Sequence, residues 1–402
     1  MKYIVILGDG MADLPIAEFD GKTPLEAAEK PAMNYLAQHG TCGMAKTVPD
    51  DLPAGSDTAN LSVMGYNPHK YYSGRSPLEA ASMGIDLSLS DVTYRCNVVT
   101  LSEAPTLTEA KMVDYSAGEI TTEEAKELIE YMNQVLADDS RRLYAGVGYR
   151  HCLVVHNGQK GVKATPPHDI TGKAVRSNLP QEGYGAELLS MMEKSYELLK
   201  DHPVNKKRVA QGLRPANSLW FWGEGTKPDL TSFKELYGID GAVISAVDLL
   251  KGIGICAGLA TPEIEGATGN INTNYENKVK EALAELKDKD FVYLHIEAPD
   301  ECGHQCNAAE KKRAIELLDQ RVVKPVLEAM QAGGEDFSIM VAPDHPTPVA
   351  LGTHTHEPVP YIIYRSNEEG KAPLDNYCEK EAAAKGIYVA EGYTLMKQLL
   401  QK

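Results

Sequence analysis

Residues 3–10 read YIVILGDG. An apolar run this short, rich in β-branched side chains and closed by Gly8-Asp9-Gly10, predicts a buried strand that ends in a loop. The same pattern returns twice near the other end of the chain. Residues 338–342 (SIMVA) lead through Pro343 to Asp344-His345. Residues 291–295 (FVYLH) lead through Glu297-Ala-Pro to Asp300, and His304 follows four positions later. Other β-like runs occupy residues 218–222, 241–245 and 359–363, with helical stretches between several of them. One such stretch, 276–287, places Val279, Ala282, Leu283 and Leu286 on one face. Continuous apolar strands alternating with helices predict an α/β layered sheet.

In open α/β sheets, sites gather at the carboxyl ends of strands. Asp9, Asp300 with His304, and Asp344 with His345 all follow core strands, so residues distant in sequence are expected to converge at one sheet edge. Residues 342–360 (APDHPTPVALGTHTHEPVP) add His354 and His356 in a segment with five prolines, too many for a helix. Each feature alone has a plainer explanation: Asp9 as a turn residue, Asp300 as a helix cap, the histidines as incidental to a loop. Their joint placement favours a divalent cation, because aspartate with neutral imidazole suits Mn²⁺, Zn²⁺ or a similar ion.

The chain has 402 residues, enough for two domains or for one core with a large insertion. A net charge of -17 argues against a general nucleic-acid or membrane-surface binder. A small anionic substrate would then need a locally basic pocket. The N-terminal apolar run is too short for a signal peptide, and Asp248 and Lys251 interrupt the nearest approach to a membrane span, residues 241–260. Seven scattered cysteines suit a reducing cytoplasm better than a disulfide framework. Cys302 and Cys306 flank His304, but that spacing without a second cysteine pair does not make a structural zinc site.

Residues 92–100 and 151–156 read as strands outside the core pattern. Between them, Thr121-Thr-Glu-Glu124 opens a helix with Ala125, Leu128, Ile129, Met132 and Leu136 on one face. We read 91–215 as an inserted α+β domain, with 1–90 and 216–402 forming the core.

Ser56 lies in Pro-Ala-Gly55-Ser56-Asp57, where glycine permits a sharp turn and serine opens a helix whose start favours phosphate. By itself this is an N-cap signature, since serine needs a base or a metal to act as a nucleophile. Taken in order, Gly8-Asp9-Gly10, Gly55-Ser56-Asp57, residues 73–80 (SGRSPLEA), Asp300-x3-His304, Ala342-Pro343-Asp344-His345 and His354 before Pro-Val-Pro360 resemble the alkaline phosphatase superfamily. Within it, the archaeal-type cofactor-independent phosphoglycerate mutases are the similar branch, over essentially the whole chain.

The resemblance implies an alkaline-phosphatase-like layered α/β core with an inserted α+β cap. It implies that 3- and 2-phosphoglycerate interconvert through a phosphoserine at Ser56, without 2,3-bisphosphoglycerate. It also implies two divalent ions, Mn²⁺ first and Zn²⁺, Mg²⁺ or Co²⁺ as alternatives. Asp9, Asp344 and His345, with Ser56, would hold one ion, and Asp300, His304 and His354 the other. The inserted domain is expected to grip the substrate with Arg95, Arg150, His151, His168, Asp169 and Arg214, and Lys251 to act near the phosphate. Asp169 or His151 would shuttle the proton. Phosphoryl transfer or hydrolysis on another small alcohol, such as homoserine, shares the same core, and a metal-binding module without catalysis is a second class. The sequence contains no G-x4-G-K-[ST] phosphate loop and no G-x-S-x-G around Ser56.

Overall fold

A computed structural model of the protein describes residues 1–401. In chain order the strands are β1 (Lys2–Gly8), β2 (Thr41–Ala45), β3 (Val92–Leu101), β4 (Met112–Asp114), β5 (Arg141–Ala145), β6 (Arg150–Val155), β7 (Ser218–Thr226), β8 (Gly241–Ile244), β9 (Phe291–Ile296), β10 (Phe337–Ala342), β11 (Val359–Arg365) and β12 (Ile387–Val389). The fold class expected from the sequence stands: a layered α/β core interrupted by a smaller α+β unit. The two compact units are Met1–Tyr72 with Leu230–Lys402, and Ser73–Asp229.

The first unit is built on a sheet ordered β12-β2-β11-β10-β1-β9-β8. β1 runs parallel to both β10 and β9, in register Leu7↔Ala342 and Leu7↔His295. Ile4, Ile6, Val292, Leu294, Ile339 and Val341 are buried in one cluster with helix residues such as Leu36, Val279 and Leu318, which explains the uninterrupted apolar strands. Thr23 caps a short helix, Pro24–Ala27, by accepting from Glu26 N–H at 2.9 Å. The chain then breaks and restarts as the helix Pro31–His39, because proline cannot donate to a preceding turn.

The second unit is an antiparallel sheet in which β3 pairs with β6, β7 and β4. The Thr122–Leu136 helix buries Ala125, Leu128, Ile129, Met132 and Leu136, the stripe read from the sequence. Together with helix Gly185–Leu199, it contributes to one buried cluster that includes Trp220 and Phe221 of β7. The limits of 91 and 215 fall inside this unit. Helix Ser76–Ser82 packs Ala80 with Cys152 and Val154, and β7 is the antiparallel partner of β3, so both segments belong to it.

Candidate active site

Three parallel neighbours, β10, β1 and β9, end side by side and deliver their following residues to one edge of the first unit. Asp9 follows β1 directly, and Asp344 and His345 follow β10. After β9 the chain enters the helix Ala298–His304, which puts Asp300 and His304 one turn apart. Ser56 is the first residue of the helix Ser56–Val63.

Asp9, Asp300, His345, His304 and His354 form two overlapping sets of potential metal donors: Asp300, His304 and His354, and Asp9, Asp300 and His345. Backbone partners assign the imidazole tautomers. His304 Nδ1 donates to the Gly352 carbonyl at 2.9 Å and His354 Nδ1 to the Ala54 carbonyl at 3.1 Å. Their Nε2 atoms consequently face each other at 2.9 Å, with Asp300 at 3.2 Å from one and 3.4 Å from the other. Thr347 Oγ1 donates to Asp300 and accepts from His345 Nδ1 at 3.2 Å. The His345 Nε2 lone pair therefore points to Ser56 Oγ at 3.1 Å, Asp344 at 3.3 Å and Asp9 Oδ1 at 3.4 Å.

Carboxylates and imidazole lone pairs that converge in a buried space repel one another unless a cation lies among them. Burial, and then the fields of Asp344 and Asp300, push Asp9 well above the usual carboxylate range. Asp9 Oδ1 is buried without a hydrogen-bond partner. Asp300 also suffers burial, but the adjacent imidazoles of His304 and His354 hold it well below its ordinary value. The hydrogen bond to Asp300 raises His304 to about 9. This donor set fits divalent ions of the Mn²⁺ or Zn²⁺ type.

Several supporting residues lie outside the sequence motifs. Asn60, one turn beyond Ser56, donates to Asp344 Oδ2 at 2.7 Å and to the Ser56 carbonyl at 2.8 Å. Tyr293 donates to Asn60 Oδ1 at 2.6 Å. His295 Nε2 reaches Asp9 Oδ2 at 2.7 Å, and burial holds its imidazole down to about 3. Lys311, fully buried, donates to Asp13 and to the Ala12 and Thr347 carbonyls, tying the loop after β1 to the loop after β10. His356, two residues beyond His354, bonds the Leu52 carbonyl at 2.9 Å instead.

The second unit carries its own cleft of about 300 Å³, lined by Arg95, Asn97, Tyr115, Tyr149, Arg150, His168 and Trp222. Trp222 donates to Asn97 Oδ1 at 2.9 Å, and the Arg95 guanidinium lies 4.0 Å from the Trp222 ring. Glu79 accepts from Arg95 at 2.9 Å and from Arg75 at 2.8 Å. Burial alone would raise Glu79, but Arg95 and Arg75 hold it below its ordinary value. Arg150 stacks over Tyr149 at 4.3 Å, and His168 meets Trp222 edge-on at 5.4 Å.

Of the expected substrate residues, Arg95, Arg150 and His168 share this cleft. The other four do not line it. His151 is buried within β6, where its Nδ1 accepts from Gly146 N–H and burial lowers it to about 3. Asp169 is exposed beside His168. Arg214 pairs with Asp114 on a separate groove of the same unit. In the first unit, Lys251 pairs with Glu263 at 2.8 Å.

The family model described as 2,3-bisphosphoglycerate-independent phosphoglycerate mutase matches residues 37–205. A Geobacter sulfurreducens protein named a probable 2,3-bisphosphoglycerate-independent phosphoglycerate mutase is 50% identical over 403 residues, covering 100% of both chains. A Methanosarcina barkeri mutase of the same name is 48% identical over 96% of each chain. Among solved structures, a Pyrococcus horikoshii protein matches with a TM-score of 0.80 at 31% identity, over 100% of this chain and 97% of its own. A cofactor-independent phosphoglycerate mutase from Thermoplasma acidophilum DSM 1728 matches with a TM-score of 0.68 at 27% identity, over 100% and 99%.

Proposed function

The chain belongs to the 2,3-bisphosphoglycerate-independent phosphoglycerate mutase family, and on that premise we propose that it interconverts 3-phosphoglycerate and 2-phosphoglycerate through a phosphorylated Ser56. It is an enzyme of the isomerase class, acting as an intramolecular phosphotransferase. The observation that carries the mechanism is the 3.1 Å approach of Ser56 Oγ to His345 Nε2, inside a cluster of carboxylates and imidazoles.

Ser56 Oγ attacks phosphorus, the bond from phosphorus to the substrate oxygen breaks, and the freed glycerate hydroxyl takes up the proton that the serine gives up. The glycerate then presents its other hydroxyl to the phosphoserine. That hydroxyl loses its proton, takes the phosphoryl group, and Ser56 is regenerated. Nothing enters or leaves, so no bisphosphorylated cofactor is required. Asp300, His304 and His354 would hold one divalent ion, and Asp9 and His345, with Asp344 and Ser56 beside His345, would hold a second, Mn²⁺ in the first instance. When bound, such ions supply Lewis acidity to the serine hydroxyl and positive charge to the transferring phosphoryl group.

The protein does the positioning. Asn60 ties the carbonyl of Ser56 to Asp344, which fixes the nucleophile against the donor cluster. The start of the Ser56–Val63 helix favours the negative charge that the phosphoserine brings. Arg95 and Arg150 supply the basic locus that a chain of net charge -17 needs to hold an anionic substrate, with Trp222 and Tyr149 orienting the two guanidinium planes. Seven free cysteines support a cytoplasmic location. No helix among the described residues is long and apolar enough to cross a membrane. A coupled assay with 3-phosphoglycerate and Mn²⁺, run beside homoserine with ATP, tests the reading. Turnover of the first and not of the second is expected, and the reverse would overturn it.

A further inference from the structure

We propose that Ser245 and His295 form a buried relay that makes Asp9 a one-oxygen metal ligand, a proposal that rests on the two-ion reading above. Val247 N–H donates to Ser245 Oγ at 3.0 Å, so the serine hydroxyl is free to donate to its other neighbour, His295 Nδ1, also at 3.0 Å. With Nδ1 accepting, the neutral imidazole carries its proton on Nε2. That proton goes to Asp9 Oδ2, 2.7 Å away. The relay thereby commits Oδ2 and leaves Oδ1, which is buried, has no hydrogen-bond partner and faces His345 Nε2 at 3.4 Å.

The arrangement follows from the sheet. β8 and β9 are parallel neighbours, as are β9 and β1, and His295 stands in register with Leu7, two residues before Asp9. Ser245 follows β8 directly, so the three groups form a row across three adjacent strand ends. Asp9 and Ser245 are 1% exposed and His295 is 0% exposed, which leaves water no room to replace a missing partner. Without the Ser245 hydroxyl, His295 Nδ1 becomes a buried acceptor with no donor. The imidazole then gains by moving its proton to Nδ1 and turning a lone pair on Asp9 Oδ2. The carboxylate is repelled from its set orientation, and the ion it helps to hold is bound less tightly. Ser245 and His295 are positioning residues, acting on the site through Asp9.

The test is a double-mutant cycle on Mn²⁺ affinity, measured on the chelator-treated full-length protein from the electron paramagnetic resonance of free Mn²⁺. Glutamine at 295 offers an N–H to Asp9 whatever residue stands at 245. Ser245→Ala should weaken one of the two Mn²⁺ sites about 10- to 100-fold in the wild-type background. In the His295→Gln background the same change should alter affinity by no more than about twofold. An equal loss in both backgrounds would make Ser245 merely structural and overturn the relay, as would wild-type affinity in Ser245→Ala. Failure of the wild-type chain to bind Mn²⁺ would instead overturn the two-ion reading itself. Should His295→Gln not fold, ¹⁵N-histidine spectra of the wild type and Ser245→Ala decide the matter. Loss of the Nε2–H tautomer at His295 supports the relay, and its persistence overturns it.

Discussion

His304 and His354 point their Nε2 atoms at each other across 2.9 Å, each with its Nδ1 proton committed to a backbone carbonyl. Two lone pairs so placed need either a proton or a metal ion between them and Asp300. In the ion-free protein the hydrogen bond to Asp300 raises His304 to about 9, so the site is protonated at neutral pH. Mn²⁺ must displace that proton. Affinity should therefore rise with pH up to about 9 and level off above, and binding at pH 7 should release protons. Calorimetry in buffers of different ionisation enthalpy reads the number released.

The substrate cleft gives a second prediction. Arg95 is held by Glu79 at 2.9 Å and stacks on Trp222 at 4.0 Å. Lysine can replace the charge but neither the fork nor the stacking plane. Arg95→Lys should lower kcat/KM about 10- to 100-fold, in line with losing a charged hydrogen bond worth about 1.5–3 kcal/mol. Steady-state kinetics at saturating Mn²⁺ check it.

Arg150 is expected to grip the glycerate portion of the substrate. Arg150→Ala should lower mutase turnover and raise the ratio of free phosphate to 2-phosphoglycerate, because water then competes for the phosphoserine. Parallel phosphate and enolase-coupled assays measure the ratio. A fall in turnover with an unchanged ratio removes Arg150 from that role.

Stability should depend on a pair that touches no substrate. Lys311 and Asp13 are both fully buried and meet at 2.8 Å. Lys311→Met strands the Asp13 carboxylate and should cost about 3–5 kcal/mol, whereas Lys311→Met with Asp13→Asn should cost distinctly less. Urea denaturation of the two variants provides the comparison.

The parts of the site that lay close along the chain were legible in the sequence. Asp9 and Asp344-His345 stand directly after apolar strands, and Asp300 and His304 share a helix face, so local pattern alone pointed to one sheet edge. Asn60 lies one turn from Ser56, but its value is in reaching Asp344, which only the fold brings near. His295 and Ser245 had no local signal. Both sit at strand ends that read as core, and only the register of β8, β9 and β1 brings them to Asp9. The limits of the inserted unit were equally hidden, since β7 joins it by pairing with β3 more than a hundred residues away in the chain, as in Cys96↔Phe221. Lone charges such as Arg214 and Lys251 have no periodicity to place them. Their carboxylate partners, Asp114 and Glu263, emerge only from the fold.

The central claim is that the phosphoryl group rests on Ser56 during turnover. Rapid acid quench of the Mn²⁺-loaded protein with 3-phosphoglycerate, followed by peptide mass spectrometry, tests it most directly. Phosphate should appear on the peptide containing Ser56, and Ser56→Ala should bind Mn²⁺ while losing about 10⁴-fold or more in turnover. Normal mutase activity in Ser56→Ala, with no phosphate on that peptide in the wild type, would contradict the account.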